Sequence, residues 1–291
     1  MDRNETILAV DDKKENLDVL LDILDDFDVI PVTSGEKALE IMKQEEVSLI
    51  LLDIVMPNMD GYEVCKFLKS QPHTKNIPII FTTAKTDEES ISKAYQAGAN
   101  DYVSKPLKRS EVIARIQTQL KLKKTIEELE YLASRDTMTG VYNRRKFFEL
   151  SKPIFDQYDT NLFIAMLDID HFKKVNDTFG HDAGDLVIKQ IAKTVSDMLP
   201  QHSVFARIGG EEFVAICIEE STEKIVRIFD DIRNVISLSS VDYNGHQINF
   251  TISNGIAQKN GSVTSIDDLI KQADIALYDA KNSGRNKIVL R

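Results

Sequence analysis

Two cysteines in 291 residues, Cys65 and Cys217, exclude a disulfide-stapled scaffold. They lie far apart in the chain, each inside an apolar stretch, which marks both as reduced core residues. Long hydrophobic runs are missing too: none approaches the ~18 residues that a membrane span requires. The first residues, MDRNETILAVDD, are too acidic and too short in apolar run for a secretory signal. These absences predict a cytoplasmic protein with no membrane partner. Basic excess is also lacking. Lys and Arg number 36 against 47 Asp and Glu, a net charge of −11, the wrong sign for a broad nucleic-acid footprint. No helix-turn-helix segment stands out. No G-x-x-x-x-G-K-[ST] occurs, so a P-loop is excluded. An acidic chain can still bind a nucleotide where a metal ion offsets the local charge.

What the chain does have is length for about two domains at ~150 residues each. Over the first 106 residues, short apolar runs alternate with amphipathic stretches. The runs are Thr6–Val10, Val29–Val32, Leu49–Leu52, Ile77–Thr82 and Asp101–Val103. They are aliphatic or β-branched and nearly continuous, as strands buried on both faces must be. That alternation predicts an α/β fold with a doubly wound parallel sheet, whose ligands sit outside the carboxyl ends of the strands.

From Leu107 to about Ser134 there is neither proline nor glycine, and the segment RSEVIARIQTQLKLKKTIEELEYLAS within it reads as one long helix. It carries two apolar stripes. Ile113, Ile116 and Leu120 form one; Leu122, Ile126, Leu129 and Ala133 form another, displaced from it. Because the second stripe lies beyond the first domain, a short parallel coiled coil is expected, with more than one usable register. The domain reading is 1–120, a linker helix 121–135, and 136–291.

Beyond Arg135 the pattern changes. Asn161–Leu167 reads as a strand, DLVIKQIAKTVSDML as a helix, and SVFARI-GG-EEFVAICI as a β-hairpin around Gly209-Gly210. A helix near Glu223–Ser237, a strand near Ile248–Ala257, a helix near Ile266–Asn282 and a strand near Lys287–Leu290 follow. Hairpins mixed with crossover helices predict an α/β domain with a mixed, largely antiparallel sheet.

Asp11 and Asp12 end the first apolar run and Asp53 ends the third. In a parallel sheet those ends are neighbours, so three carboxylates converge. A hard divalent cation held through oxygen relieves their repulsion. Thr83 and Lys105 end the fourth and fifth runs. A hydroxyl and an ammonium facing a metal-bound carboxylate suit capture of a phosphoryl group by an aspartate.

Here the chain resembles the receiver domain of bacterial response regulators, from about Thr6 to Leu120: the DD pair, DIVMPNMDG, TTAK and SKP. The resemblance implies that Asp53 accepts phosphate from a histidine kinase. It implies Mg²⁺ on Asp12, Asp53 and the Val55 carbonyl, supported by Asp11. Thr83 and Lys105 then hold the phosphoryl oxygens. Tyr102 falls at the family's switch aromatic, and the Lys105–Pro106 bond is cis in this family.

In the second half, Asp168 stands near the end of a strand and Glu211 follows the two glycines. If hairpin and strand are adjacent, the two carboxylates can hold Mg²⁺ and leave positions open for triphosphate oxygens. Gly209 and Gly210 let backbone approach a ligand closely. Asp170 is expected to cap the helix that follows it. Backbone N–H groups around Phe172 and Lys173 face phosphates at that helix start. Lys281 and Arg285 add basic donors near the last helix.

These motifs resemble the GGDEF domain of diguanylate cyclases from about Asp136 to Arg291: DTMTGVYNRR, DIDHFKKVNDTFGHDAGD, RIGGEEF and ALYDAKNSGRNKI. The signature reads GGEEF, which keeps the carboxylate at Glu211. The resemblance implies metal on Asp168, the Ile169 carbonyl and Glu211. It implies guanine read by Asn176 and Asp185, and phosphates contacted by Phe172, Lys173, Lys281 and Arg285. Glu212 belongs to the signature, its role open. A carboxylate can accept from guanine N1–H and N2–H₂, which adenine lacks, so a preference for GTP has a physical basis. The implied reaction joins two GTP molecules into cyclic di-GMP across a homodimer. The alternative is a silent GTP- or cyclic-di-GMP-binding module. One departure stands out. Many members carry an R-x-x-D product site before the signature, whereas this chain has PQHS, Pro200 to Ser203. Product inhibition through that site is therefore expected to be weak or absent.

Overall fold

The computed structural model describes residues 5–84 and 88–291. The chain divides into two compact units, Met1–Leu129 and Glu130–Arg291.

In the first unit, β1 (Thr6–Val10), α1 (Lys14–Ile23), β2 (Asp28–Val32), α2 (Gly35–Ile41), β3 (Leu49–Asp53), α3 (Gly61–Ser70), β4 (Ile79–Thr83), α4 (Glu88–Gln96) and β5 (Asp101–Ser104) alternate as expected. The sheet is all parallel in the order β2-β1-β3-β4-β5. Every residue of β3 and β4 is buried, which is why those runs carry no polar alternation until their last residues. One face packs Leu8, Val10, Ile50, Leu52 and Phe81 against α2, α3 and α4. The other packs Ile7, Leu49, Leu51 and Val103 against α1 and the start of α5 (Arg109–Ser134). Asp60 and Glu63 form a reciprocal capping box that starts α3 just beyond the loop after β3.

Helix α5 runs from Arg109 to Ser134, the segment read as one long helix. Its two stripes meet different fates. Val112 and Ile116 are buried against the sheet, with Ile113 and Leu120 half-buried beside them. Ile126 and Leu129 are 47% and 60% exposed. No helix among the described residues is long and apolar enough to cross a membrane.

The second unit comprises β6 (Tyr142–Asn143), α6 (Arg144–Gln157), β7 (Leu162–Ile169), α7 (Phe172–Phe179), α8 (His181–Met198), β8 (Val204–Gly209), β9 (Glu212–Ile218), α9 (Thr222–Ser237), β10 (Ser240–Tyr243), β11 (His246–Asn249), β12 (Ile252–Gln258), α10 (Ile266–Asn282) and β13 (Ile288–Leu290). Its main sheet runs β13-β12-β7-β9-β8-β6. The β12–β7, β7–β9 and β9–β8 pairs are antiparallel, and the flanking β13 and β6 pair in parallel. Central β7 is buried along its whole length, with Phe163, Ala165, Leu167 and Ile169 on one face and Ile164 and Met166 on the other.

Three readings of this half need correction. The strand expected over 248–257 is two strands: β11 ends at Asn249 in a separate hairpin with β10, and β12 starts at Ile252 against β7. The β10–β11 turn is Asn244-Gly245, both at positive φ (53° and 81°), the conformation a type I′ hairpin requires. Helix α6 was not anticipated because Pro153 lies inside it; Asn143 caps its start by accepting from the Lys146 N–H. In the β8–β9 hairpin Gly209 pairs with Glu212, so the turn residues are Gly210 and Glu211, not Gly209 and Gly210. Gly210 takes φ 48°, the left-handed region that favours glycine.

Candidate functional site

The first unit assembles its site at the carboxyl edge of the parallel sheet. Asp11 is fully buried, Asp53 is 6% exposed, and Asp12 is half-buried. The Lys105 Nζ donates to Asp11 Oδ2 at 2.7 Å and to Asp53 Oδ1 at 2.8 Å. Asp11 also accepts from Asn16 Nδ2 on both oxygens, at 2.8 and 2.9 Å, and from the Lys13 N–H at 3.0 Å. Burial raises the Asp53 carboxyl above its ordinary value, Asp11 and Asp12 add to the rise, and Lys105 opposes it. For Lys105, burial alone would lower the ammonium, but its bonds to the two aspartates outweigh that and raise it.

One oxygen from each of Asp11, Asp12 and Asp53 lies within 4.8 Å of the others, a spacing that fits a hard cation. Asp12 Oδ1 is buried with no hydrogen-bond partner, whereas both Asp11 oxygens are engaged. Asp12 is thus the better direct ligand and Asp11 the better support. Thr83 is the buried last residue of β4, and exposed Val55 follows shortly after β3. The Lys105–Pro106 bond is cis. Tyr102 is half-buried on β5, edge-on to Tyr95 at 6.4 Å, with the Arg115 guanidinium 5.8 Å from its ring.

The second unit builds its site where β7 ends. Asp168 is 4% exposed, opposite Glu212 of β9 on one side and Ser253 of β12 on the other. Lys281, near the end of α10, reaches Asp168 Oδ2 at 2.6 Å. Burial pushes the Asp168 carboxyl up to about 6; Glu211 and Glu212 add to the rise and Lys281 opposes it. A buried carboxylate crowded by two others suits a divalent cation. Ile169 ends β7 beside Asp168, and Glu211 is half-buried in the hairpin turn.

Helix α7 starts after His171, which takes a left-handed φ of 55°. Phe172 is buried and Lys173 exposed in its first turn. Asn176 Oδ1 is buried without a partner, a polar atom waiting for a donor. Half-buried Asp185 lies near the start of α8. Between them Gly184 leaves the space Asn176 needs: a Cβ there would stand 2.0 Å from Asn176 Oδ1. Arg285 sits in the loop after α10, half-buried at φ 59°, and forms no ion pair among the described residues.

Asp170 does not cap α7. His171 occupies the cap position, and Asp170 instead accepts from Thr251 Oγ1, Ser253 Oγ and the Asn286 N–H. Sequence reasoning also passed over Asp136 and Arg207. Arg207 donates through Nε to the Gly210 carbonyl at 2.8 Å and through Nη1 to Asp136 at 3.1 Å, bracing the Gly210–Glu211 turn. The arginine in RIGGEEF was the visible signal.

A diguanylate cyclase GGDEF domain model matches residues 133–287, more than half of the chain. The chain belongs to the GGDEF diguanylate cyclase family. A response regulator receiver domain model matches residues 7–117. The response regulator PleD of Caulobacter vibrioides is 32% identical over 255 residues, 84% of this chain and 56% of PleD. Diguanylate cyclase A of Treponema denticola is 34% identical over 169 residues, 56% of this chain and 46% of that protein. The chain thus spans about half the length of these curated relatives. Among solved structures, the coiled coil and GGDEF domain of DgcB from Caulobacter crescentus, in complex with c-di-GMP, superposes with a TM-score of 0.58 at 27% identity. It covers 62% of this chain and 98% of its own. The diguanylate cyclase SiaD of Pseudomonas aeruginosa, solved with its activator SiaC, gives a TM-score of 0.53 at 31% identity over 70% of this chain and 76% of SiaD. The DgcB structure thus contains a coiled coil together with a GGDEF domain.

Proposed function

We propose that this GGDEF protein is a phosphorylation-regulated diguanylate cyclase that condenses two GTP into cyclic di-GMP. The observation that carries this reading is the buried Asp168, held by Lys281 at 2.6 Å and crowded by Glu211 and Glu212, on the unit that holds the unpartnered Asn176 Oδ1. That combination offers a cation site, a phosphate-binding ammonium and a base-reading amide. The proposed domain division is a receiver at 1–120, a linker helix at 121–135 and the cyclase at 136–291. The organism-side partner is a histidine kinase, and the compartment is the cytoplasm.

Asn176 and Asp185 receive the guanine edge, with Gly184 keeping the space between α7 and α8 open. Lys281 balances Asp168 before substrate arrives and, with Arg285 and Lys173, supplies positive charge to the triphosphate. The N–H groups of Phe172 and Lys173 begin α7 and point donors toward phosphate oxygens. Asp168, the Ile169 carbonyl and Glu211 would hold Mg²⁺, which would supply charge stabilisation at the α-phosphoryl group and lower the pKa of the attacking hydroxyl. The 3′-oxygen of one GTP bonds to the α-phosphorus of the other, and the α–β phosphoanhydride bond breaks to release pyrophosphate. A second, symmetric step closes the ring, so two pyrophosphates and two protons leave. Each cyclase domain presents one GTP, and a homodimer with two-fold symmetry brings the pair together.

Asp53 is the phosphoacceptor; with Asp12 and the Val55 carbonyl it would hold Mg²⁺, supported by Asp11. Thr83 and Lys105 receive the phosphoryl oxygens, and Tyr102 reports the change at the α4–β5 face. The signal passes along α5 to the cyclase pair. Turnover of Mg²⁺-GTP with and without beryllium fluoride, read by chromatography, tests the whole scheme. Cyclic di-GMP formation that rises on activation is expected. Bound GTP with no product in either state would identify the silent module instead. Unchanged turnover would break the link from receiver to cyclase.

A further inference from the structure

The loop that leaves α10 is held in an unusual conformation from several directions. Gly284, Arg285 and Asn286 take φ values of 112°, 59° and 46°, three consecutive residues in the left-handed region. Residues other than glycine persist there only where the surroundings over-determine them. The surroundings here are specific. The Arg285 N–H donates to the Ala280 carbonyl at 3.1 Å, and the Asn254 N–H donates to the Lys287 carbonyl at 2.9 Å. Arg233 of α9 donates through Nη1 to Asn286 Oδ1 at 2.9 Å. The Asn286 N–H donates to Asp170 Oδ2 at 2.9 Å.

Asp170 is the one anionic group in this set of restraints. It is 5% exposed and lies two residues beyond Asp168. Its carboxylate is filled by Ser253 Oγ at 2.7 Å on one oxygen, and by Thr251 Oγ1 at 2.7 Å and the Asn286 N–H on the other. Its own N–H donates to the Thr251 carbonyl at 2.9 Å, closing the join between the end of β7 and the start of β12. A carboxylate is suited to this place because it accepts from all three donors without offering a competing N–H. Between the two grips, on Asn286 and on the Ala280 carbonyl, stands Arg285, whose guanidinium forms no ion pair among the described residues. A tightly restrained backbone that carries an uncommitted cation is a device for presenting that cation.

We propose that Asp170 is a positioning residue that locks this loop so that Arg285 meets the triphosphate of GTP, acting through Arg285 without touching substrate. The proposal rests on the cyclase reading. Asp170→Asn places an amide N–H₂ against donors and loosens Asn286, so the loop loses its lock while the guanine-reading residues Asn176 and Asp185 stay in place.

The test compares the full-length protein's affinity for α,β-methylene-GTP with Mg²⁺ and for guanosine. In Asp170→Asn the triphosphate analogue is expected to weaken by about tenfold while guanosine changes by less than about twofold, and KM for GTP rises more than kcat falls. Arg285→Ala should reproduce this pattern, and the double variant should be no weaker than Arg285→Ala alone. Additive losses, a parallel loss of guanosine, or wild-type affinity in Asp170→Asn would overturn the proposal. Should Asp170→Asn fail to fold, Asn286→Gly carries the same comparison: it keeps the N–H, drops the hold of Arg233 and frees the backbone. The same preferential loss of the triphosphate analogue is expected, and its absence overturns the lock. If the wild type itself gains nothing from the triphosphate over guanosine, the cyclase reading fails, whatever the variants do.

Discussion

At the scale of single residues, burial and hydrogen bonding pull buried carboxylates in opposite directions. Asp168 is raised to about 6 chiefly by burial, from an ordinary 3.8, so the folded state holds its proton more tightly than the unfolded chain. In metal-free protein this group therefore favours folding fully below about 3.8, and its contribution is lost as pH rises through about 6. Asp168→Asn should remove that slope. Urea unfolding at pH 4.5 and 7 in EDTA checks this: the variant gains on the wild type as pH rises, while cyclic di-GMP formation falls by ~10²-fold or more. Asp136 has the opposite sign. Burial would raise it, but hydrogen bonds from Thr139 and Arg207 outweigh burial and hold it below 3.8. Its contribution is present above that value and fades as pH falls through the lowered one. Asp136→Asn should cost about 1–2 kcal/mol at pH 7, measured by urea unfolding, and the cost should shrink as pH falls through the lowered value.

At the scale of elements, two glycines mark where helices approach what they serve. On β12, a Cβ at Gly255 would lie 2.1 Å from the Leu277 nitrogen and 2.2 Å from the Ala273 oxygen, both backbone atoms of α10. Gly255→Ala must push the whole helix away, at a cost of ~3 kcal/mol or more, visible as a lower urea midpoint. Because α10 carries Lys281, turnover should fall with it. At Gly184 the atom met is the flexible end of a side chain, Asn176 Oδ1. Gly184→Ala should therefore leave stability within ~1 kcal/mol and act on substrate, raising KM for GTP by about tenfold through the displaced amide. The contrast between backbone and side-chain obstruction separates the two outcomes.

At the scale of the whole molecule, the two compact units divide within α5, at Leu129 and Glu130. The helix buries Val112 and Ile116 but leaves Leu122, Ile126, Leu129 and Leu132 49%, 47%, 60% and 62% exposed. An apolar stripe of that extent suits a second copy of the same helix. A double change, Ile126→Glu with Leu129→Glu, should shift sedimentation toward monomer and cut turnover by more than about tenfold, because the proposed reaction joins substrates from two sites. Far-ultraviolet circular dichroism should show both units still folded. Retained turnover in a monomeric variant would remove the coiled coil from the mechanism.

Much of this was legible in the residues themselves. The buried strands of the first unit announce their ends with Asp11, Asp53 and Thr83, because a run with no polar alternation can place a polar side chain only where the sheet stops. Asp168, Glu211, Lys281 and Asn176 likewise stand out as candidates in local motifs. The roles of Asp170, Asp136 and Arg207 were not. Asp170 bonds a backbone N–H 116 residues away, and Arg207 bonds Asp136 across 71. No periodicity encodes such pairs; they exist only once β7 pairs with β12 and β8, which carries Arg207, pairs with β6. Sequence alone determined which groups were available, through burial pattern and side-chain chemistry. Tertiary structure decided which of them face each other, since hydrogen bonds and ion pairs act only over a few ångströms and depend on how distant segments pack.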